Sequence, residues 1–297
     1  MGVVLMFGRD DDPCCRAVRE ELASRRRDVL FVAEDRLFPG LRFAWTPRTR
    51  NDGRICYEGR EISLADVDAV LSRAWGVPVA PEEFETADGR YVCAEWNALL
   101  VAWLHALPCP VFNHLKPELW YKTQLNAADL AALLPDMPFR RPRTLVTTKS
   151  DEAISFARGA RGRVRYSPLT RRSPYRVRGG TDDAELVSLG SALPLHLAER
   201  PDGDAVEAFV VCTEVVFDDP RDQGDAEGRA PVARLCLDVA GALGLSFCKL
   251  SLIEAANGDW YCLDLDRMPQ LGAYSPHLQR KVARALADGL VAVRAKA

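Results

Sequence analysis

The sequence predicts an α/β protein built from α+β subdomains, on three observations. The chain opens as strand, helix, strand: "GVVLMFG" (2–8), "PCCRAVREELASRR" (13–26) and "DVLFVAE" (28–34). Strand-like and helical segments then alternate along the rest of the chain. Near its end, the Asn-Gly of "EAANGDW" separates two strand-like runs, a strong short-range hairpin signal. The opening is the mark of a layered sheet with parallel strands, because strands joined through a helix cross over and run the same way.

In the first helix, Ala17, Val18, Leu22 and Ala23 recur at helical spacing, and Pro13 suits a first turn. "VDAVLSRAWG" (67–76) reads as a further strand, "VCAEWNALLVAWLHAL" (92–107) as an amphipathic helix, and "CPVFN" (109–113) as a return to the sheet. "PELWYKTQLNAADLAALLP" (117–135) reads as one helix ended by Pro135. A strand follows over 141–149, a helix over 150–160 with Ser150 as its N-cap, and a strand over 162–169. "TRRSPYRVRGGTDD" (170–183) has no hydrophobic period and reads as an arginine-rich loop. "LPLHLAER" (193–200) and the β-rich run 205–219 lead to a polar loop (219–231), a helix over 232–245, the hairpin 246–266 and a closing helix over 275–293.

Bulk properties narrow the function. The 297 residues suit two or three small domains, and 48% hydrophobic with 27% charged residues is an ordinary globular balance. A net charge of −3 gives no global attraction to nucleic acid or to an anionic membrane. No apolar run is long enough to span a bilayer, and the acidic turn after Phe7 does not fit a secretory signal. The nine cysteines are odd in number and form no CxxC pair, so reduced thiols in a cytoplasmic protein are expected. The four histidines show no zinc spacing.

The chemistry concentrates in "WYCLDLDRMP" (260–269). In a strand, Asp264 and Asp266 share a face. Neighbouring carboxylates repel unless a cation neutralises them, and magnesium takes one or two carboxylates together with phosphate oxygens. The plain alternative is an acidic strand end facing solvent.

The helix before the hairpin, "LGLSFCKLSLIEAANGDWYCLDLDRMPQ" and the closing helix together resemble the C-terminal end of ATP-grasp enzymes. The nearest flavour is the peptide-modifying microviridin (graspetide) ligases and their glutamate-ligase relatives. "SRAWGVP", a strand ending in Asn113, a lysine in a helix and "PRTLVTT" keep the order of that family, so the resemblance runs along nearly the whole chain. It implies an ATP-grasp fold with a Rossmann-like N-terminal domain (1–113), a central lid subdomain (114–192) and a C-terminal subdomain (193–297). It further implies that Asp264 and Asp266 hold Mg2+, that Lys122 touches ATP phosphates, and that Glu199 lies at the hinge beside the nucleoside. The implied cofactors are ATP and Mg2+. The implied partner is a peptide or amino acid substrate, and a homodimer is compatible with the sequence.

The chain departs from the family's pattern at four places. Ser167 stands where a second phosphate lysine is expected, Glu207 where an arginine is, Ser251 where an aspartate is, and Met268 where the last asparagine is. Arg165, two before Ser167 on the same strand face, is the expected stand-in, with Arg163 as a second option and Lys249 as a further source of charge. Arg178, with Gly179 and Gly180 in the arginine-rich loop, would fold over the phosphates. Three functions follow from these residues: an ATP-dependent ligase acting through an acyl phosphate, a degenerate relative that binds a peptide or partner, and a binding protein for a phosphorylated metabolite.

Overall fold

The computed structural model describes residues 2–46, 52–73, 86–113, 124–161, 163–167, 169, 194–218 and 228–292. The chain packs as two compact units. One comprises Met1–Tyr121, Gly244–Phe247 and Pro269–Ala297; the other comprises Lys122–Leu243 and Cys248–Met268.

The first unit begins with β1 (Val3–Gly8), α1 (Pro13–Ser24) and β2 (Asp28–Ala33). Asp12 caps α1 by accepting from the Cys14 N–H at 2.8 Å, and Pro13 occupies the first turn. An antiparallel sheet follows, made of β3 (Leu41–Trp45), β4 (Gly53–Tyr57) and β5 (Arg60–Ser63). The chain turns between β4 and β5 at Glu58 (φ 50°) and Gly59 (φ 79°), both left-handed as a tight two-residue hairpin requires. Then come β6 (Val67–Ser72), α2 (Ala87–Ala106) and β7 (Val111–Phe112).

β1, β2, β6 and β7 form one parallel sheet in the order β2-β1-β6-β7, as the β-α-β opening predicts. Every residue of β1 is buried, which is why its sequence is a continuous apolar run. Trp103 of α2 is fully buried, edge-on to Phe7 of β1 and to Phe43 of β3. The antiparallel sheet therefore shares one core with the parallel sheet.

The second unit carries β8 (Gln124–Asn126), α3 (Ala127–Leu133), β9 (Thr144–Thr147), α4 (Ser150–Gly159) and β10 (Val164–Ser167). It continues through β11 (Leu195–Glu199), β12 (Asp204–Val211), β13 (Glu214–Asp218), α5 (Ala230–Ala242), β14 (Phe247–Glu254) and β15 (Trp260–Asp266). The closing helix, α6 (Pro276–Ala292), packs on α1 and β6 of the first unit.

Two sheets build this second unit. One is three-stranded and antiparallel, in the order β10-β11-β9; Val164, Leu195 and Leu197 on one face pack against Ala153 and Ala157 of α4. The other is five-stranded, in the order β13-β12-β14-β15-β8.

Two expectations are corrected. Residues 117–135 are not one helix: 124–126 form a strand paired with β15, and α3 starts only after Asn126. There Asn126 and Asp129 make a reciprocal capping box, which halts the helix at that point. Lys149, not Ser150, occupies the cap position of α4, and Thr147 does the bonding, accepting from the Lys149 N–H and donating to Glu152.

Candidate functional site

The site grows from the register of the five-stranded sheet. Asp264 lies opposite Ser251 on one side and Asn126 on the other; Asp266 lies opposite Lys249 and Gln124. Directly opposed residues share a face, so these polar side chains form two rows across β14, β15 and β8. Glu207 of β12 extends one row, since Lys249 Nζ sits 2.9 Å from its carboxylate.

A β-bulge between Ser251 and Leu252 sets this pattern. Leu252 pairs with Cys262 while Ser251 pairs with Asp264, leaving Leu263 as the extra residue. Strict alternation would put Leu263 and Leu265 together on the far face. With the bulge, Leu263 lines the same cavity as Ser251.

Both carboxylates are buried, Asp264 at 2% and Asp266 at 6% exposure, so the solvent-facing alternative is excluded. Their surroundings differ. Asp264 Oδ1 accepts from the Ser251 hydroxyl at 3.0 Å. Its Oδ2 is buried without a hydrogen-bond partner and faces the Arg165 guanidinium at 2.9 Å. Asp266 is bonded at both oxygens, by the Gln124 amide (3.0 Å) and the Met268 N–H (2.8 Å). Burial pushes the Asp266 carboxyl above its ordinary range, against the opposing pull of those hydrogen bonds and of Lys249.

Arg165 reaches this face from the other sheet of the unit. Its neighbours Val164 and Tyr166 turn toward α4, which sends Arg165 the opposite way. Beside it opens a cavity of about 330 Å³ lined by Arg165, Arg200, Glu207, Ser251, Ile253 and Leu263, among others. The residues 200–203 join the two sheets here, and Gly203 (φ 147°) passes so close to Glu254 that a Cβ would lie 2.2 Å from its carbonyl oxygen.

The other predicted site residues fall as follows. Glu199 ends β11 and pairs with Arg143 at 3.7 Å, while its successor Arg200 lines the cavity. Arg163 pairs with Asp202. Lys122, Arg178, Gly179 and Gly180 lie outside the described residues. Sequence reasoning missed Gln124 and the Lys249–Glu207 pair; the partner of each is set by strand order, which the sequence does not display.

Among the described residues, no group of three or more His, Cys, Asp or Glu side chains could hold a metal by itself. The donor set fits magnesium only in a narrower sense. Two adjacent carboxylates, one with a buried oxygen lacking a hydrogen bond, suit an ion shared with phosphate. No helix among the described residues is long and apolar enough to cross a membrane.

No family model matches the chain, and no curated protein sequence matches it significantly. Solved structures do. The macrocyclase MdnC of Microcystis aeruginosa MRC, bound with precursor peptide MdnA, superposes with a TM-score of 0.77 at 14% identity, over 98% of this chain and 99% of that one. The ATP-grasp ligase PsnB, complexed with precursor peptide PsnA2 and AMPPNP, gives 0.73 at 19% identity, over 97% and 96%. A RiPP-associated ATP-grasp ligase of Chryseobacterium gregarium, in complex with ADP and a leader and core peptide, gives 0.71 at 13% identity, over 100% and 98%. At these identities the likeness is one of fold: this chain has an ATP-grasp fold with an N-terminal subdomain, end to end.

Proposed function

We propose that the protein is a ligase that uses ATP and magnesium to activate a carboxylate of a peptide or amino acid as an acyl phosphate, which an amine or hydroxyl then attacks. The observation that carries this is Arg165, which lines a cavity of about 330 Å³ and faces the buried carboxylate of Asp264 at 2.9 Å. Full-length likeness to ligases solved with precursor peptides and nucleotides supports the substrate class.

In this reading Asp264 and Asp266 hold magnesium, which neutralises phosphate charge. Arg165 binds a phosphate oxygen with its planar fork. Lys122 and Arg178 add charge there, Gly179 and Gly180 cover the phosphates, and Glu199 meets the nucleoside. Catalysis of this kind is mainly alignment and charge stabilisation.

A second reading has its own observation. Asp266 is already satisfied at both oxygens, and Lys249 is engaged by Glu207. A chain with such a site would bind a peptide or partner without turnover.

ADP release separates the two. With candidate precursor peptides and MgATP, the ligase reading expects peptide-dependent ADP, reduced at least ~100-fold in Asp264→Asn. Peptide binding by calorimetry with no ADP above the no-enzyme control would establish the second reading instead.

A further inference from the structure

We propose that the Arg165–Asp264 ion pair is an exchange latch that admits metal and nucleotide only together. The inference rests on the proposed nucleotide site and specifies how it loads.

The geometry sets the constraint. Arg165 Nη2 stands 2.9 Å from Asp264 Oδ2, and the two side chains are only 12% and 3% exposed. The other oxygen, Oδ1, is taken by Ser251. A divalent cation arriving alone would need the oxygen that the guanidinium covers, within contact distance of a like charge. Low solvent access screens that repulsion poorly.

Nucleotide arriving alone meets the converse obstacle. Phosphates drawing Arg165 away would strip a buried carboxylate of its counter-charge and place more negative charge beside it, and an uncompensated buried charge is strongly unfavourable. Lys249 cannot relieve this without abandoning Glu207, 2.9 Å away.

Together, the two ligands exchange one ion pair for two: carboxylate with cation, guanidinium with phosphate. Ser251 permits the exchange, because a hydroxyl holds Asp264 in place without adding a charge that would have to find its own partner.

The test uses the full chain, Mn2+ as the metal probe read by electron paramagnetic resonance, and AMP-PNP as the nucleotide. The wild-type protein is expected to leave the free Mn2+ signal unchanged without nucleotide and to bind AMP-PNP weakly in EDTA. Each ligand should strengthen the other by at least ~100-fold. Arg165→Gln should retain Mn2+ without nucleotide, through Asp264, and Arg165→Lys should still exclude it.

Wild-type protein that takes up Mn2+ alone at a site lost in Asp264→Asn overturns the latch, as does equal AMP-PNP affinity in EDTA and in Mn2+. Both results leave the nucleotide site standing. Absence of binding even with both ligands present removes the site and the latch together. The wild-type titrations decide the matter should Arg165→Gln fail to fold.

Discussion

Asn113 offers the sharpest test of how Phe247, the first residue of β14, is held. It follows β7 in the left-handed region, at φ 61°, and is 6% exposed. Its side-chain amide donates to the Phe247 carbonyl at 2.6 Å and accepts from the Phe247 N–H at 3.0 Å, so one side chain bonds both polar groups of a fully buried residue. Phe247 opens β14, the strand that carries Lys249 and Ser251. Replacing Asn113 with Ala leaves two buried backbone groups without these partners, at about 1–2 kcal/mol each, and puts a Cβ residue without side-chain compensation at positive φ, at about 1 kcal/mol more. The expected loss is about 3–5 kcal/mol by urea unfolding, with faster amide exchange in the peptide spanning 244–250. Asn113→Gly should recover only the backbone share, about 1 kcal/mol. A loss below about 0.5 kcal/mol, with Phe247 exchanging as slowly as in the wild type, would refute the anchoring role.

Two further expectations concern the same hairpin and the joint beside it. Asp266 has a raised folded-state pKa because it is buried, so between the ordinary aspartate value of 3.8 and that raised value the folded chain binds more protons than the unfolded one. Stability is therefore greatest at the acidic end of this window and falls as pH rises through it; Asp266→Asn should abolish that fall, and equal slopes in the two proteins would contradict the assignment. Gly203→Ala should cost about 2–4 kcal/mol, because its φ of 147° and the Glu254 carbonyl 2.2 Å from a Cβ leave only backbone to give way; an unchanged Tm would count against it.

Much of the architecture was legible because it rests on local pattern. The apolar run of β1, the helical spacing of α1 and the Asn-Gly turn before β15 each carry their own signal, and the parallel sheet follows from the order of the first two strands. The antiparallel sheet β3-β4-β5 has a weaker mark, the Glu58-Gly59 turn between short alternating runs, and the pairing of its strands is not displayed by the sequence. β8 was read as helix because "NAADLAAL" is strongly helical and only pairing with β15 makes its preceding residues a strand. Asn126 and Asp129 carried the boundary signal in their capping spacing. The bulge beside Leu263 was beyond reach of periodicity, since alternation predicts a regular strand wherever apolar and polar residues alternate. The placement of Arg165 on the face away from α4 was readable from its spacing to Ser167; its meeting with Asp264, ninety-nine positions later, depends on two sheets and was not.

The substitutions around the site have a common logic. Relative to the pattern the sequence resembles, cations are missing at Ser167 and Glu207 and an acid is missing at Ser251. Cations stand instead at Arg165 and Lys249, and an acid at Glu207, each within 2.9 Å of an opposite charge. A cleft freed from any ligand has no physical reason to keep such pairs: desolvating two charges offsets their attraction, and apolar residues of similar volume serve stability as well or better. Pairs that are costly to bury, yet hold each charge against an opposite one, suit a cleft whose charges are exchanged for those of an incoming metal and phosphate, as proposed above. Under the proposed exchange this supports the ligase reading over the degenerate one, and it places the decision on Arg165, which faces Asp264 at 2.9 Å.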